Sequence, residues 1–136
     1  MTPASAAELV DTLGEAFATG DVAAVLRCFA ADGDVLYAGS EAGEVAVGVA
    51  ALTARLIDLF ARDERYSWRC RSVHVLACAA GVVVVAEADL TVRAAADGSP
   101  VEQDLPYRVS GLLEQAPGAR HLSPWRYLAG SPRSGG

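Results

Sequence analysis

Apolar residues in the first half of the chain recur every three to four positions, a spacing typical of amphipathic helices. Ser5 and Glu8 have the spacing of a capping box, so the first helix is expected to begin near Ala6. Gly20 is suited to end that helix, and a second should follow at once. A third is predicted from about residue 49 to residue 62. The apolar stripes of the three are Leu9, Leu13 and Phe17; Val22, Val25, Leu26 and Phe29; and Leu52, Leu56, Leu59 and Phe60.

From residue 65 onward the pattern changes to alternation, which predicts strands. Strands of ten or more residues must twist strongly, and Pro106, Gly111 and Pro124 mark expected bends or bulges. Asp97-Gly98 is a strong hairpin signal. Helices followed by a meander of antiparallel strands predict an α+β fold in which a curved sheet wraps round the helices as a cone. The predicted strands cover residues 34–38, 66–77, 82–94, 101–115 and 121–131, with a loop over residues 39–48.

The composition fits one domain and excludes two classes of partner. Of the 136 residues 52% are hydrophobic, enough for a sizeable core, but only 7% are aromatic, so each ring is informative. A formal net charge of −6 has the wrong sign for binding nucleic acid or anionic lipid. No apolar run approaches the ~20 residues of a membrane span. We therefore expect no nucleic-acid partner and no membrane partner.

The N-terminal segment and the spacing of the polar residues argue against a secretion signal, a metal site and a cofactor site. The segment MTPASAAELVDTLGEAF lacks a basic region and carries Glu8 and Asp11, so we expect no secretion signal and a cytoplasmic location. No pair of His, Cys, Asp or Glu has the spacing of a metal site, and there is no phosphate-binding or dinucleotide-binding fingerprint. The sequence therefore predicts no metal and no cofactor.

Two stretches of the chain resemble a known family. FATGDVAAVLRCFAADGDVLYAGSEAGEVAVGVAAL, residues 17–52, is similar to the opening of SnoaL-like domains in the nuclear transport factor 2-like (NTF2-like) superfamily, and PWRYLAGSP, residues 124–132, is similar to their closing strand. The resemblance implies an NTF2-like, cystatin-like cone, with three N-terminal helices on a strongly curved antiparallel sheet. It implies one such domain over residues 1–131, and the composition of residues 132–136 predicts a disordered tail.

The family that the chain resembles contains several functions. Its members include ketosteroid isomerase-like enzymes, polyketide cyclases, epoxide hydrolases and non-catalytic association domains, so a shared fold does not select among them. Many relatives carry His-x-His-x-Ser in the last strand. Counting back from Ser131, those histidine positions hold Tyr127 and Ala129 in this chain. An activity that depends on the histidine pair is therefore not expected here.

Glu87 and Asp89, in the second long strand, are the candidate catalytic carboxylates. Strand parity places them with Val83 and Val85 on the face opposite the apolar core face. In one interpretation they are solvated or face a second subunit, because a mixture of valine with charged residues suits a subunit contact. In the other, a bulge turns Asp89 into the cone, where apolar surroundings would raise its pKa and make it a general base.

Aromatic residues from several strands are expected to converge inside the cone. Their hydroxyl and indole N–H groups would be directional donors in an apolar cavity, as a small-molecule site requires. Packing of the same rings in the core is the alternative. The candidate ligand-binding residues are Tyr37, Trp68, Tyr107, Trp125 and Tyr127, the last two predicted to share one face of the final strand.

Three functions remain open. The first is a homodimeric protein that binds a small, largely apolar molecule in the cone. The second is a cofactor-independent isomerase, cyclase or hydrolase of a polyketide-like or steroid-like substrate, with Asp89 or Glu87 as base and a tyrosine, Tyr37, Tyr107 or Tyr127, as oxyanion donor. It requires a carboxylate or histidine inside the cavity, near a tyrosine. The third is an association domain, which requires that side chains fill the cavity.

Overall fold

The structure is a computed structural model that describes residues 1–32, 34–40, 43–96, 99–114 and 124–132, with the backbone alone at residues 95–96 and 99–101. The predicted Asp97-Gly98 turn lies outside the described residues. So do residues 121–123, where the last strand was expected to begin, and residues 133–136 of the predicted tail.

Three helices form where the apolar periodicity predicts them: α1 (Pro3–Thr19), α2 (Val22–Leu26) and α3 (Val49–Phe60). The start of α1 differs from the prediction, because Thr2 and not Ser5 is the N-cap. The Thr2 hydroxyl accepts a hydrogen bond from the Ser5 N–H at 3.1 Å, and Pro3 lies in the first turn, where its missing N–H has no cost. None of the described helices is long and apolar enough to cross a bilayer.

Six strands follow the predicted order with one addition. The four long strands are β3 (Arg65–Cys78), β4 (Gly81–Ala96), β5 (Ser99–Glu114) and β6 (Trp125–Pro132). The predicted first strand is β1 (Leu36–Ala38), and β2 (Val45–Val47) lies within the segment expected to be a loop. The loop prediction was therefore wrong at residues 45–47, which pair antiparallel with β1.

The strands make one sheet in the order β2-β1-β6-β5-β4-β3. All neighbouring strands pair antiparallel except β1 and β6, which are parallel. The helices pack on one face of this sheet, which is called here the inner face. The opposite face is called the outer face. The predicted α+β architecture, with helices on a mostly antiparallel sheet, is confirmed.

The irregularities of the sheet lie at other positions than those predicted. Pro106 and Gly111 stay in register with β4, without a bulge between the two strands. The register shifts instead between Cys70 and Ser72 in β3, and between Leu112 and Leu113 of β5 where it pairs with β6. At the second shift Arg126 is the extra residue of β6, so the residues on its two sides face in opposite directions.

Helix α1 covers the first half of the edge strand β3. The Trp68 indole N–H donates to the Val10 carbonyl at 2.8 Å, and the Cys70 N–H donates to the Asp11 carboxylate at 2.7 Å. The Asp11 contact satisfies an edge N–H next to the β3 bulge, which otherwise would be open to another strand. The fully buried side chains between helices and sheet include Leu13, Phe17, Val25, Leu52, Leu56, Val84, Leu113, Trp125 and Leu128.

Candidate functional site

A hollow of about 90 Å³ lies between the helices and the inner face of the sheet. It is close to the volume of three water molecules in the liquid. Phe17, Leu59 and Leu90 give it apolar walls. The other residues that line it have polar or aromatic side chains. They are Tyr37, Ser40, Glu44, Arg62, Tyr66, Trp68 and Tyr107.

The aromatic wall of the hollow is a chain of ring contacts. The centroid of the Trp68 ring lies 5.0 Å from that of Phe17 and 6.0 Å from that of Tyr107, and Phe17 stacks on Tyr37 at 6.5 Å. The hydrogen bond from Trp68 to Val10 leaves its indole N–H unavailable to a ligand. Trp68 therefore contributes an apolar ring held in place by its own hydrogen bond, and the tyrosine hydroxyls supply the polar atoms of the wall.

Tyr107 reaches across the neighbouring strand because that strand has a glycine beneath it. A Cβ at Gly130 would collide with the Tyr107 hydroxyl, so a larger residue at that position of β6 would displace the ring. The Ser40 side chain forms a hydrogen bond with the Tyr107 hydroxyl and lowers its pKa, against the larger effects of burial and of Glu44. Strand β5 and the segment after β1 thus meet at this hydroxyl.

Among the described residues that line the hollow Glu44 is the carboxylate, and no pattern in the sequence pointed to it. The Gly39 N–H donates to the Glu44 carbonyl at 2.8 Å where β1 and β2 pair. A Cβ at Gly39 would collide with the Glu44 carboxylate, so glycine leaves room for that side chain. The signal in the sequence was a glutamate between two short strands, but only their pairing directs it towards the hollow.

The tyrosine hydroxyls of the hollow remain protonated at neutral pH. Burial raises the pKa of Tyr107 to about 12, and the negative charge of Glu44 adds to this effect. Burial also raises the pKa of Tyr37, with further contributions from Tyr107 and Glu44. Both residues are therefore hydrogen-bond donors near a carboxylate. Such a set can bind an electronegative atom and accept a proton close to it.

Arginine and tyrosine side chains stand at the rim of the hollow. Tyr66 donates to the Glu64 carboxylate at 3.0 Å, and burial is the main cause that raises its pKa. Arg62 interacts with the same hydroxyl. Arg55, in the middle of α3, donates to the Gly43 carbonyl at 3.0 Å, which ties the helix to the segment before β2. The rim is thus polar, unlike the aromatic wall.

Three of the five predicted ligand-binding residues meet at the hollow: Tyr37, Trp68 and Tyr107. Their role in binding stays a prediction. Trp125 is also buried, but it lines a different hollow of about 420 Å³ between α1, α2 and the start of β6. The prediction that Tyr127 shares its face was wrong, because the bulge at Arg126 turns Tyr127 to the outer face beside Leu112.

The predicted catalytic carboxylates lie on the outer face, away from the hollow. Glu87 accepts a hydrogen bond from Arg108 at 2.8 Å, and Asp89 pairs with Arg71 at 3.5 Å. The alternative in which a bulge turns Asp89 inward was wrong, because the β3 bulge at Arg71 leaves β4 in regular register with β5. Among the described residues no group of three or more His, Cys, Asp or Glu is arranged to hold a metal ion.

Comparison with known proteins identifies the family and the fold. A family model for the SnoaL-like domain matches residues 6–125. No curated protein matches the chain. The solved structures described next are each less than 25% identical to the chain, so they support the fold alone.

Three of those structures illustrate the kinds of protein that share this fold. A ketosteroid isomerase-like protein from Erwinia carotovora atroseptica has a TM-score of 0.67 and 21% identity, over 96% of this chain and 93% of its own. An NTF2-like protein with a cystatin-like fold from Novosphingobium aromaticivorans has a TM-score of 0.65 and 16% identity, over 96% and 81%. A protein of ketosteroid isomerase-like fold from Catenulispora acidiphila, in complex with trimethylamine, has a TM-score of 0.62 and 16% identity, over 90% and 83%.

Proposed function

Since the chain belongs to the SnoaL-like domain family, we propose that it binds a small molecule in the hollow beside Tyr37, Tyr107 and Glu44, and that it works as a homodimer. The observation that carries the binding site is the convergence of two protonated tyrosines and one carboxylate on a ring-lined hollow. Polar groups at a few points of an apolar pocket are the usual composition of a small-molecule site.

The size of the hollow limits the ligand. At about 90 Å³ it takes a molecule of about six non-hydrogen atoms or fewer, with an apolar body against Trp68 and a polar end towards Glu44. This is smaller and more polar than the steroid-like or polyketide-like ligand expected from the sequence. The trimethylamine bound by the Catenulispora protein is of this size.

A thermal-shift series with small probes tests the binding site. Trimethylamine, isopropanol and acetone differ in charge and in hydrogen bonding, and all are within the size limit set by the hollow. We expect at least one to raise the melting temperature, and Glu44→Gln or Tyr107→Phe to remove that shift. Tyr127→Phe, on the outer face, is the matched control and should keep it. If no probe stabilises the chain, the association-domain hypothesis replaces binding.

A second candidate function is cofactor-independent proton transfer, and it is favoured by the meeting of two tyrosine hydroxyls and the Glu44 carboxylate at one hollow. A protonated Tyr107 or Tyr37 donates to a carbonyl oxygen, while the Glu44 carboxylate takes a proton from the adjacent carbon. The electrons of the broken C–H bond move to the oxygen, and the enolate holds the tyrosine hydrogen bond. Return of the proton to another carbon completes an isomerisation.

Hydrogen–deuterium exchange on acetone tests this chemistry with a ketone that fits the hollow. The chain in D₂O should replace the methyl hydrogens of acetone faster than buffer alone, as followed by proton NMR. Glu44→Gln should reduce the rate to that of buffer, because the amide cannot accept the proton. Asp89→Asn, which changes a carboxylate outside the hollow, should leave it unchanged. Exchange that survives Glu44→Gln contradicts the assignment.

The homodimer part of the proposal rests on the outer face of the sheet. Val83 and Val85 are in contact with solvent there, next to carboxylates that pair with arginine within the same chain. Such a face offers apolar area without an excess of one charge. A second copy of the chain can cover it without repulsion between like charges.

A further inference from the structure

A groove of about 420 Å³ lies between α1, α2 and the start of β6, and the described residues that line it all differ from those of the inner hollow. Leu9, Ala16, Ala24 and Trp125 give it apolar walls. Its volume is within the range of about 300–1,000 Å³ that is usual for small-molecule sites. This space, called here the helix groove, therefore admits a larger molecule than the inner hollow does.

Small side chains at the junction of two helices leave the groove open. Helix α1 ends at Gly20, whose φ of 67° is left-handed, and the Asp21 carboxylate accepts the Ala23 N–H at 3.0 Å to begin α2 at once. Ala16 before this junction and Ala24 after it both line the groove. Their methyl groups leave space that a larger aliphatic side chain would fill.

Trp125 is a fixed part of the groove wall. Its backbone N–H donates to the Cys28 carbonyl at 2.9 Å, and its carbonyl accepts the Ala30 N–H at 3.0 Å. A Cβ at Gly111 would lie 2.9 Å from the Trp125 ring, so the glycine of β5 makes room for the indole. The wall is therefore formed before a ligand binds, which lowers the entropic cost of binding.

Two charged side chains stand at opposite edges of the helix groove. Glu15 also lines a second hollow, between α1 and strands β3 to β5, whereas Arg27 also lines a third, between α2 and the start of α3. Both residues are exposed. The groove therefore has a negative edge on α1 and a positive edge at the end of α2.

These two charges are available to a ligand. Among the described residues neither Glu15 nor Arg27 forms an ion pair. The other polar groups of the groove are engaged within their own helices. Thr12 and Thr19 donate their hydroxyl hydrogens to carbonyls of α1 at 2.8 Å and 2.6 Å, and the Cys28 thiol donates to a carbonyl of α2 at 3.6 Å.

We propose that the helix groove binds a small zwitterion with an apolar body, namely an ω-amino carboxylate. Its carboxylate accepts two parallel N–H bonds from the Arg27 guanidinium, its ammonium group lies at Glu15, and its methylene chain packs along the apolar walls. A ligand with one charge satisfies one edge only, so opposite charges at the two ends give the highest affinity and a single orientation. The inference goes beyond the function proposed for the inner hollow and does not depend on it.

Isothermal titration calorimetry with ω-aminooctanoate tests the proposal. The wild-type chain should bind one molecule. Octanoate and octylammonium have the same chain length but only one of the two charges, so each should bind about threefold more weakly, the size expected for an exposed ion pair. Shortening the ω-amino acid should weaken binding by about two- to fourfold for each methylene lost from the apolar body.

Charge-removing variants assign the two ends of the ligand. Arg27→Gln should weaken binding of ω-aminooctanoate about threefold and leave octylammonium unchanged. Glu15→Gln should weaken ω-aminooctanoate by a similar factor and leave octanoate unchanged. Arg69→Gln, at an exposed arginine of β3 that does not line the groove, is the matched control and should bind all three ligands as the wild type does.

Amide NMR shifts locate the ligand. In the wild-type chain ω-aminooctanoate should move the signals of Ala16, Ala24 and Cys28 and leave those of Gly39 and Ser40, which lie at or next to the inner hollow. Ala24→Leu fills part of the groove and should abolish binding of all three ligands. Far-UV circular dichroism checks that this variant is folded.

The outcomes distinguish the helix groove from the inner hollow. Absence of binding by the wild-type chain overturns the inference, and so does an affinity for ω-aminooctanoate that neither Glu15→Gln nor Arg27→Gln changes. Shifts confined to Gly39 and Ser40 overturn it as well, because they place the ligand in the inner hollow. Glu44→Gln should retain ω-aminooctanoate binding while it loses the thermal shift with the smaller probes, since Glu44 lines the inner hollow and not the groove.

Discussion

On its inner face the sheet carries buried rings around one carboxylate, Glu44, whereas on its outer face it carries aliphatic rows and carboxylates that pair with arginine. The same residue types occur on both faces. Tyr107 is buried with a raised pKa, and Tyr127 is half-exposed beside Leu112. Burial and neighbours, and not residue type, therefore decide which tyrosine or carboxylate can bind a small molecule.

The largest expected difference between the faces concerns the two aromatic residues Trp68 and Tyr127. Trp68→Ala should lower the free energy of unfolding by about 3–5 kcal/mol, because it removes a buried ring together with its hydrogen bond to the Val10 carbonyl. Tyr127→Ala should cost the monomer about 1 kcal/mol. Urea unfolding followed by circular dichroism measures both. If the two variants lose the same free energy of unfolding, Trp68 is not buried on the inner face or Tyr127 does not lie on the outer face.

The buried tyrosines predict a loss of stability at alkaline pH. In the folded chain the pKa of Tyr107 is raised to about 12, while a tyrosine in the unfolded chain ionises near pH 10. Between these pH values the unfolded chain has released a proton that the folded chain still holds. The free energy of unfolding therefore falls as the pH rises, by at most about 3 kcal/mol for this residue.

Urea midpoints between pH 9 and pH 12 measure this dependence. Tyr107→Phe should make the decline less steep, since phenylalanine does not ionise in either state. Tyr127→Phe, on the outer face, serves as the control and should follow the wild-type curve. If the urea midpoint of Tyr107→Phe falls with pH as steeply as that of the wild type, the Tyr107 hydroxyl is not the cause of the alkaline loss of stability.

Val83 and Val84 are neighbours of the same type on opposite faces of the sheet, so the same substitution at each reports on one face. Val84 is fully buried, and Val84→Ala should lower the free energy of unfolding by about 2 kcal/mol at any protein concentration. Val83→Ala should change the monomer by less than about 0.5 kcal/mol. Its effect should grow with protein concentration, because it weakens the dimer. A concentration-independent effect of Val83→Ala would argue against the outer face as the contact between subunits.

The smallest expected effect concerns Asp89. Its ion pair with Arg71 is exposed on both sides, so Asp89→Asn should change the free energy of unfolding by less than about 0.5 kcal/mol. It should also leave probe binding in the hollow unchanged, as the melting temperature with and without probe will report. If Asp89→Asn weakens binding as strongly as Glu44→Gln does, the carboxylate of the site has been misassigned.

The sequence predicted the fold better than the site, for a physical reason. Helix periodicity and strand alternation are local, so α1, α3 and the four long strands appeared close to their predicted positions. The side of the sheet to which a side chain points also follows from local alternation, until a bulge shifts that alternation by one residue. Nothing in the sequence around Arg71 or Arg126 indicates a bulge. The bulge at Arg126 is the one that put Tyr127 on the face opposite to the predicted one.

The carboxylate of the hollow could not be predicted from spacing. Glu44 lies in a segment of small residues, and it reaches the hollow only because β1 and β2 pair and Gly39 leaves it room. Tyr37 and Tyr107, which it faces, come from strands that β6 separates. Contacts of that kind depend on the strand order, and the parallel pairing of β1 with β6 has no signature in either strand.

Tyrosine ring resonances measured by NMR between pH 3 and pH 8 report directly on whether Glu44 shares the inner hollow with Tyr37 and Tyr107. With ring-labelled tyrosine, assigned through Tyr→Phe variants, the signals of Tyr37 and Tyr107 should shift as the Glu44 carboxylate titrates. That shift should be absent in Glu44→Gln, while the signal of Tyr127 should be the same in both proteins. If Glu44→Gln leaves the shifts of the Tyr37 and Tyr107 signals unchanged, or abolishes a shift at Tyr127, then Glu44 does not lie in the inner hollow.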